Sequence, residues 1–351
     1  MSARACIVPV FVPHLGCPHR CVFCDQRRIS GSERAATAED VKKAIAQSAA
    51  LSPTGTKRQL AFYGGSFTAI PAAQQEALLD AAAEAMARGE IDSIRLSTRP
   101  DAIDGETLAR LRRFGVETVE LGAQSMDEEV LRLSGRGHTA RDVKRAAAAV
   151  KAAGFRLVLQ MMTGLPGDSE EKDLETARRL IALRPDGVRI YPTVIVRGTE
   201  LCERWQAGEY REHTLEDAVE VCARLTALFE AAEIPIIRLG LNPTEELSGG
   251  EALGGAYHPA LGELVRSRVL LEKAASLLAS VESGSRVTLG VAPECLSQMI
   301  GQKRGNLKKL EERFSLAAVK VVPTAAEKGE ILLLSIEKAK KIEYNNSVSF
   351  P

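Results

Sequence analysis

Three of the chain's seven cysteines fall within eight positions of the stretch LGCPHRCVFCDQ, at Cys17, Cys21 and Cys24. Thiolates at i, i+4 and i+7 can wrap one inorganic centre from a single loop. Gly16 and Pro18 favour a turn over a helix there. The spacing is neither a lone C-x-x-C redox pair nor a paired zinc knuckle. Three thiolates with no fourth cysteine nearby suit a [4Fe–4S] cluster that keeps one iron open to an outside ligand. The alternative is a structural zinc closed by His14, His19 or Cys6, because such sites usually take a fourth protein ligand.

The elements around this loop alternate. Apolar runs at 7–12, 59–63, 94–97, 118–122, 156–162 and 187–192 are each followed by an alanine-rich or amphipathic stretch, and a seventh run covers 235–241. Continuous apolar strands joined by helical crossovers predict a parallel sheet covered by helices. With no dinucleotide fingerprint after the first strand, the fold class is α/β, a partial (β/α)6-type barrel. Gly and Pro cluster behind each strand, in GGSFTAIP, STRPD, LGAQS, TGLPGDS and YPTVIVRGTE. A parallel barrel gathers those ends on one face, where ligands bind, and the cysteine loop follows the first strand to the same face.

This barrel is expected over 1–235, followed by a Gly-rich loop and helical connector over 236–283. Residues 284–340 read strand, helix, helix, strand, strand, a small α+β domain, and 341–351 read as a flexible tail. Lys plus Arg and Asp plus Glu both total 46, so no bulk charge announces a polyanionic partner. No apolar run approaches a membrane span, and the N-terminal one lacks a signal-peptide pattern. The scattered Cys6, Cys202, Cys222 and Cys295 form no disulfide framework, which points to a cytoplasmic chain.

C-x-x-x-C-x-x-C after a first barrel strand, with Phe23 before the last cysteine, resembles the radical S-adenosylmethionine (SAM) superfamily. The resemblance implies a [4Fe–4S] cluster on Cys17, Cys21 and Cys24 whose open iron chelates SAM, a 5′-deoxyadenosyl radical, and an electron donor such as flavodoxin or ferredoxin. Phe23 would pack near the adenine or shield the cluster. GGSFT resembles the superfamily's Gly-Gly-Glu segment, with Gly64 and Gly65 receiving the methionyl amine and Ser66 where Glu is usual. Gln124 is implied as a contact to the ribose or carboxylate of SAM. TGLPGDSEE, with Gly164 and Pro166, resembles the segment lying against adenine. STRPDAID, VELGAQSMDEEVLRLSGRGHT and RIYPTVIVRGTEL resemble the radical SAM half of the Elongator catalytic-subunit family, over roughly 5–235. An RNA substrate, tRNA or rRNA, follows from that likeness.

Arg136 and His138 in GRGH, together with Tyr191, are the candidate catalytic residues; a surface turn and a satisfied core tyrosine are the plainer readings. Asp168 or Ser169 would cap a helix after the fifth strand. Tyr257 and His258 sit either on a lid or at an ordinary helix start, and Arg197 reads as a solvated charge. The segment IGQKRGNLKKL resembles the nucleic-acid-gripping turn of a KH domain. Gly301 stands for its first glycine, Arg304 replaces the second, and Lys303, Arg304, Lys308 and Lys309 make a positive patch. Two other readings stand beside an RNA-modifying enzyme. One is a non-catalytic, zinc-containing RNA-binding protein. The other is a radical SAM enzyme acting on a small molecule, as in the oxygen-independent coproporphyrinogen oxidase branch, which has similar GAQS and GLPG segments.

Overall fold

The computed structural model describes residues 6–12, 17, 21–25, 34–53, 55–242, 244 and 247–338. Gly16, Pro18, His14, His19 and the expected tail therefore lie outside the described residues. Two compact units divide at Leu261 and Gly262.

The first unit is a seven-stranded parallel sheet. Its strands are β1 (Cys6–Val12), β2 (Arg58–Gly64), β3 (Ser93–Thr98), β4 (Val116–Gln124), β5 (Arg156–Thr163) and β6 (Gly187–Pro192). After a short β7 (Val194–Val196), β8 (Ile236–Leu239) completes the sheet on β6. Strand order follows chain order from one open edge at β1 to the other at β8. This is the curled sheet of a partial barrel, one strand wider than six repeats provide. Ile236–Leu239 belongs to the sheet rather than to the connector expected from 236 onward, because its backbone pairs in parallel with Val188–Ile190.

The crossover helices start where the side chains dictate. Thr37, Thr139 and Thr214 form capping boxes with Asp40, Asp142 and Asp217. Asp104, Asp127, Ser169 and Thr199 each accept a backbone N–H of the first turn. Each such cap is worth about 1 kcal/mol and fixes where a strand-end loop stops. Ser169, not Asp168, is thus the cap of the helix after β5.

Part of the Gly-rich connector is ordered as β9 (Ala252–Gly255), antiparallel to β7. Gly255 has φ +80°, and a Cβ there would stand 2.6 Å from the Thr193 carbonyl oxygen. That glycine serves close strand approach, not flexibility.

In the second unit a helix, Leu261–Leu278, packs with β10 (Arg286–Val291), β11 (Ala318–Pro323) and β12 (Ile331–Glu337). Central β10 pairs in parallel with β11 and antiparallel with β12. The helix, expected within the connector, contributes Leu270, Leu271, Ala274 and Leu278 to this unit's core. The domain therefore begins earlier than 284, since its sheet needs that apolar face to cover it.

Candidate active site

The C-terminal ends of the strands open into a cavity of about 1190 Å³ lined by Cys17, Cys21 and Cys24 among others. It exceeds the ~300–1,000 Å³ typical of a single small-molecule site. The three thiols are free. The segment carrying Cys21 and Cys24 is pinned on both sides: Val22 N–H donates to the Ser134 carbonyl at 3.1 Å and its carbonyl accepts from Leu201 N–H at 2.8 Å. Val22 is buried with Ile195, Leu201, Cys202 and Tyr210, and Phe23 and Trp205 pack on that cluster.

Arg136 braces the cysteines. It donates from Nη1 to the Cys21 sulfur at 3.3 Å and from Nη2 to the Gly122 carbonyl at 2.7 Å. Arg99, paired with Asp101, donates to the Arg136 carbonyl. Burial and the neighbouring Cys21 push the Cys17 thiol up, against the charges of Arg99 and Arg136 and a hydrogen bond from the Ser66 backbone. Among the described residues no three His, Cys, Asp or Glu side chains are gathered as ligands of a metal ion. Cys6 begins β1 beside Ser48, at the far end of that strand from the cysteine loop. The donor set facing the cavity is therefore three thiols with a guanidinium against one sulfur, which fits an anionic iron–sulfur cluster with an open iron.

Gly64 and Gly65 line the same cavity. Gly64 has φ +103°, and a Cβ would sit 3.3 Å from the Val12 backbone, so only glycine lets β1 and β2 end this close. Gly65 N–H is bound to the Val12 carbonyl at 2.8 Å. Ser66 is buried and does not line the cavity; its hydroxyl joins Thr98 Oγ1 at 2.9 Å and accepts from Arg99 N–H. Gln124 reaches the cavity from a left-handed backbone at φ 64°, beside a break in β4–β5 register. Strain of that kind marks functional sites. Its amide oxygen accepts from Gln160 at 3.1 Å. Gly122, which the sequence reading passed over, leaves room for both side chains. A Cβ there would lie 3.0 Å from Gln124 Nε2 and 3.3 Å from Arg136 Nη2.

Besides Ser66, three expected site residues are elsewhere. His138 is buried behind β4, with Nε2 against the Ala123 carbonyl at 3.1 Å, and does not line the cavity. Burial, with Arg136 nearby, pushes it down to about 3, so the ring is neutral and positions the strand end. Gly164 and Pro166 also lie off the cavity. A Cβ on Gly164 would meet the His213 ring at 2.1 Å, and its carbonyl accepts from Tyr210. Glycine is required there by the packing of His213.

Behind that turn, Asp168 and Asp173 form a buried carboxyl pair. Burial raises Asp168 to about 6; burial and Asp168 raise Asp173. Both hold protons more tightly folded than unfolded. The stabilising contribution of Asp168 is thus complete below about pH 4 and is lost as pH rises through about 6, and that of Asp173 is likewise lost as pH rises. Asp173→Asn, which keeps an acceptor without the charge, is expected to raise stability above neutral pH and to flatten its fall as pH rises from about 4. Urea unfolding across that range reads the effect.

Tyr191 lines the cavity as expected, and beneath it lies a charged network the sequence reading missed. Glu120 Oε1 accepts from Arg95 at 2.7 Å and Arg189 at 3.0 Å, and Oε2 accepts from Ser97 at 3.1 Å. Arg189 also donates to Tyr191 OH at 3.1 Å and Tyr63 OH at 2.5 Å. Burial and Glu120 push Tyr63 up to about 12, so it keeps its proton. The available signal was a charged residue inside an apolar strand, in IRLS, TVELG and GVRIYP.

A family model for the radical SAM superfamily matches residues 11–180, and one for the radical SAM C-terminal domain matches 185–270. The chain belongs to the radical SAM superfamily. It is similar to human Elongator complex protein 3, 38% identical over 138 residues, covering 38% of this chain and 25% of that protein. It is 31% identical over 185 residues to the tRNA uridine(34) acetyltransferase of Methanocaldococcus infernus, covering 47% of this chain and 35% of the relative. The matches thus span about a quarter to a third of the curated relatives' lengths. The solved M. infernus Elp3 with an N-terminal deletion shares the fold at TM-score 0.62 and 24% identity, covering 78% of this chain and 64% of that one. Among the described residues no helix is long and apolar enough to cross a membrane.

In the second unit the turn at Gly301 is compatible with the KH-type reading. Gly301 has φ +73°, and a Cβ would lie 2.9 Å from the Asn306 side chain. Lys303 and Arg304 follow at φ 50° and 62°, so Arg304 takes the left-handed backbone a glycine would supply. Lys303, Arg304, Lys308 and Lys309 are all exposed around the start of the helix Gly305–Arg313.

Proposed function

We propose that this protein is a radical SAM enzyme that modifies an RNA nucleoside, of tRNA or rRNA. The observation carrying the reading is the convergence of Cys17, Cys21 and Cys24 on the strand-end cavity of a chain matched by the superfamily. When bound, the [4Fe–4S] cluster and SAM supply a 5′-deoxyadenosyl radical that takes a hydrogen atom from an unreactive carbon. The three thiolates hold the cluster, and Arg136 offsets thiolate charge at Cys21. Gly64, Gly65 and Gln124 form the wall that receives SAM. Phe23, which like Tyr191 packs on the cluster of Val130, Met162 and Leu165, screens the mouth from water.

The RNA part rests on the Elongator and tRNA uridine relatives and on the basic turn of the second unit. Replacing Lys303, Arg304 and Lys308 with Ala is expected to weaken tRNA binding about tenfold or more in low salt and to reduce the salt slope by about 2–3. Filter binding across a salt series measures it; unchanged affinity would exclude this surface. The reaction itself is tested by mass spectrometry of total-RNA nucleosides with and without the gene. No difference would remove the RNA substrate. SAM cleavage to 5′-deoxyadenosine by the reduced, anaerobically reconstituted protein tests the radical step. A flavodoxin or ferredoxin is the reductant expected in the cell.

A further inference from the structure

The floor of the barrel carries more donors than its own groups can use. Arg95 and Arg189 share a single carboxylate, Glu120, which is only 2% exposed. Both oxygens of Glu120 are already engaged. Arg238 adds a third guanidinium with no acidic partner among the described residues; it is turned to the Gly240 and Leu241 carbonyls at 2.9 Å each. Nε of both Arg95 and Arg189 is buried without a partner. The Tyr63 and Tyr191 hydroxyls each accept from Arg189, which leaves both phenolic hydrogens without an acceptor among the described residues. Both tyrosines line the cavity one residue inside the ends of β2 and β6.

Two O–H donors held on Arg189, whose sharing of Glu120 with Arg95 leaves one positive charge over, match a planar group with two oxygens and one negative charge. We propose that Tyr63, Tyr191 and Arg189 form a subsite, within the strand-end cavity, for the carboxylate of a small substrate or co-substrate. The inference deepens the reading of the cavity as a substrate site and rests on it. The chemistry follows from donor counting. The tyrosine hydroxyls donate to the two oxygens, Arg189 supplies the charge, and Glu120 with Arg95 fixes the guanidinium. The cavity's volume leaves room for such a molecule beside a second ligand. A carboxylate here would fix one end of the substrate and present its neighbouring carbons toward the mouth.

SAM carries a carboxylate of its own, so the test separates the two sources. Thermal unfolding is followed in acetate, malonate, phosphate and chloride at constant ionic strength, with both cluster-free and reconstituted protein. Acetate and malonate are expected to raise the midpoint by about 2 °C at ten times the dissociation constant in both forms. The double variant Y63F/Y191F, which keeps every charge in place, is expected to lose that shift. Arg189→Gln should weaken it at least tenfold; if that variant does not fold, the tyrosine pair alone decides. In reconstituted protein the shifts from SAM and acetate are expected to add. Mutual exclusion, a response to phosphate alone, or an unchanged response in Y63F/Y191F would each overturn the proposal. Because the cluster-free arm needs no iron, failure of the radical SAM reading leaves this result separately readable.

Discussion

Cys21→Ser protein, reconstituted anaerobically, is expected to hold less than about one-tenth of the wild-type iron and sulfide and to form no 5′-deoxyadenosine from SAM. A serine hydroxyl does not ionise near neutral pH, whereas cluster ligands must be thiolates. The position also concentrates the local electrostatics, since Arg136 points at its sulfur. Removing the thiolate leaves that guanidinium, buried and bound to the Gly122 carbonyl, without its anionic partner. Cys222→Ser and Cys6→Ser provide the contrast. Cys222 is fully buried, and burial pushes its thiol up, away from thiolate chemistry. Cys6 lies at the other end of β1, against Ser48 and Ser52. Both variants are expected to keep wild-type iron content. Zinc without iron in the wild-type protein, or iron retained by Cys21→Ser, would turn the site into something other than an open cluster.

Glu120→Gln is expected to cost about 3–5 kcal/mol of folding stability, read from urea denaturation of the cluster-free protein. Two guanidiniums converge on that carboxylate, with 12% and 11% of their side chains exposed. Breaking a buried ion pair from one side leaves an uncompensated charge, and here one substitution strands two. Arg95→Met should cost less, because Arg189 stays on Glu120 and one charge leaves with the side chain. A loss below about 1 kcal/mol for Glu120→Gln would mean that water in the cavity solvates both arginines as well as the carboxylate does.

Much of this architecture is legible in the chain because parallel strands buried on both faces read as unbroken apolar runs. Leu157 through Leu159 with Met161 and Met162 admit few other readings, Val8, Val10 and Val12 mark the one buried face of edge strand β1, and the Thr-x-x-Asp boxes mark helix starts to within a residue or two. The cysteine loop is legible because thiols are scarce and its spacing is local. The contents of the strand-end face are less so. GRGH suggested two catalytic side chains, yet successive turns send Arg136 into the cavity and His138 behind the strand. TGLPG suggested a ligand contact, whereas Gly164 is demanded by a histidine about fifty residues onward. The β7–β9 pair was hidden because glycine signals both a hinge and a close approach, and only three dimensions distinguish them. Arg95, Glu120 and Arg189 lie on different strands, and no spacing in the chain announces that they meet.

The cysteine loop also has an optical neighbour. Trp205 is the only tryptophan of the chain, and it packs on the patch that holds Val22 and Phe23. Its emission therefore comes from one place, a few side chains from the thiols. A visible-absorbing chromophore assembled there would quench that fluorescence by energy transfer, and its loss on oxidation would restore it. The molecule carries its own gauge of occupancy, readable in a sealed cuvette without a label.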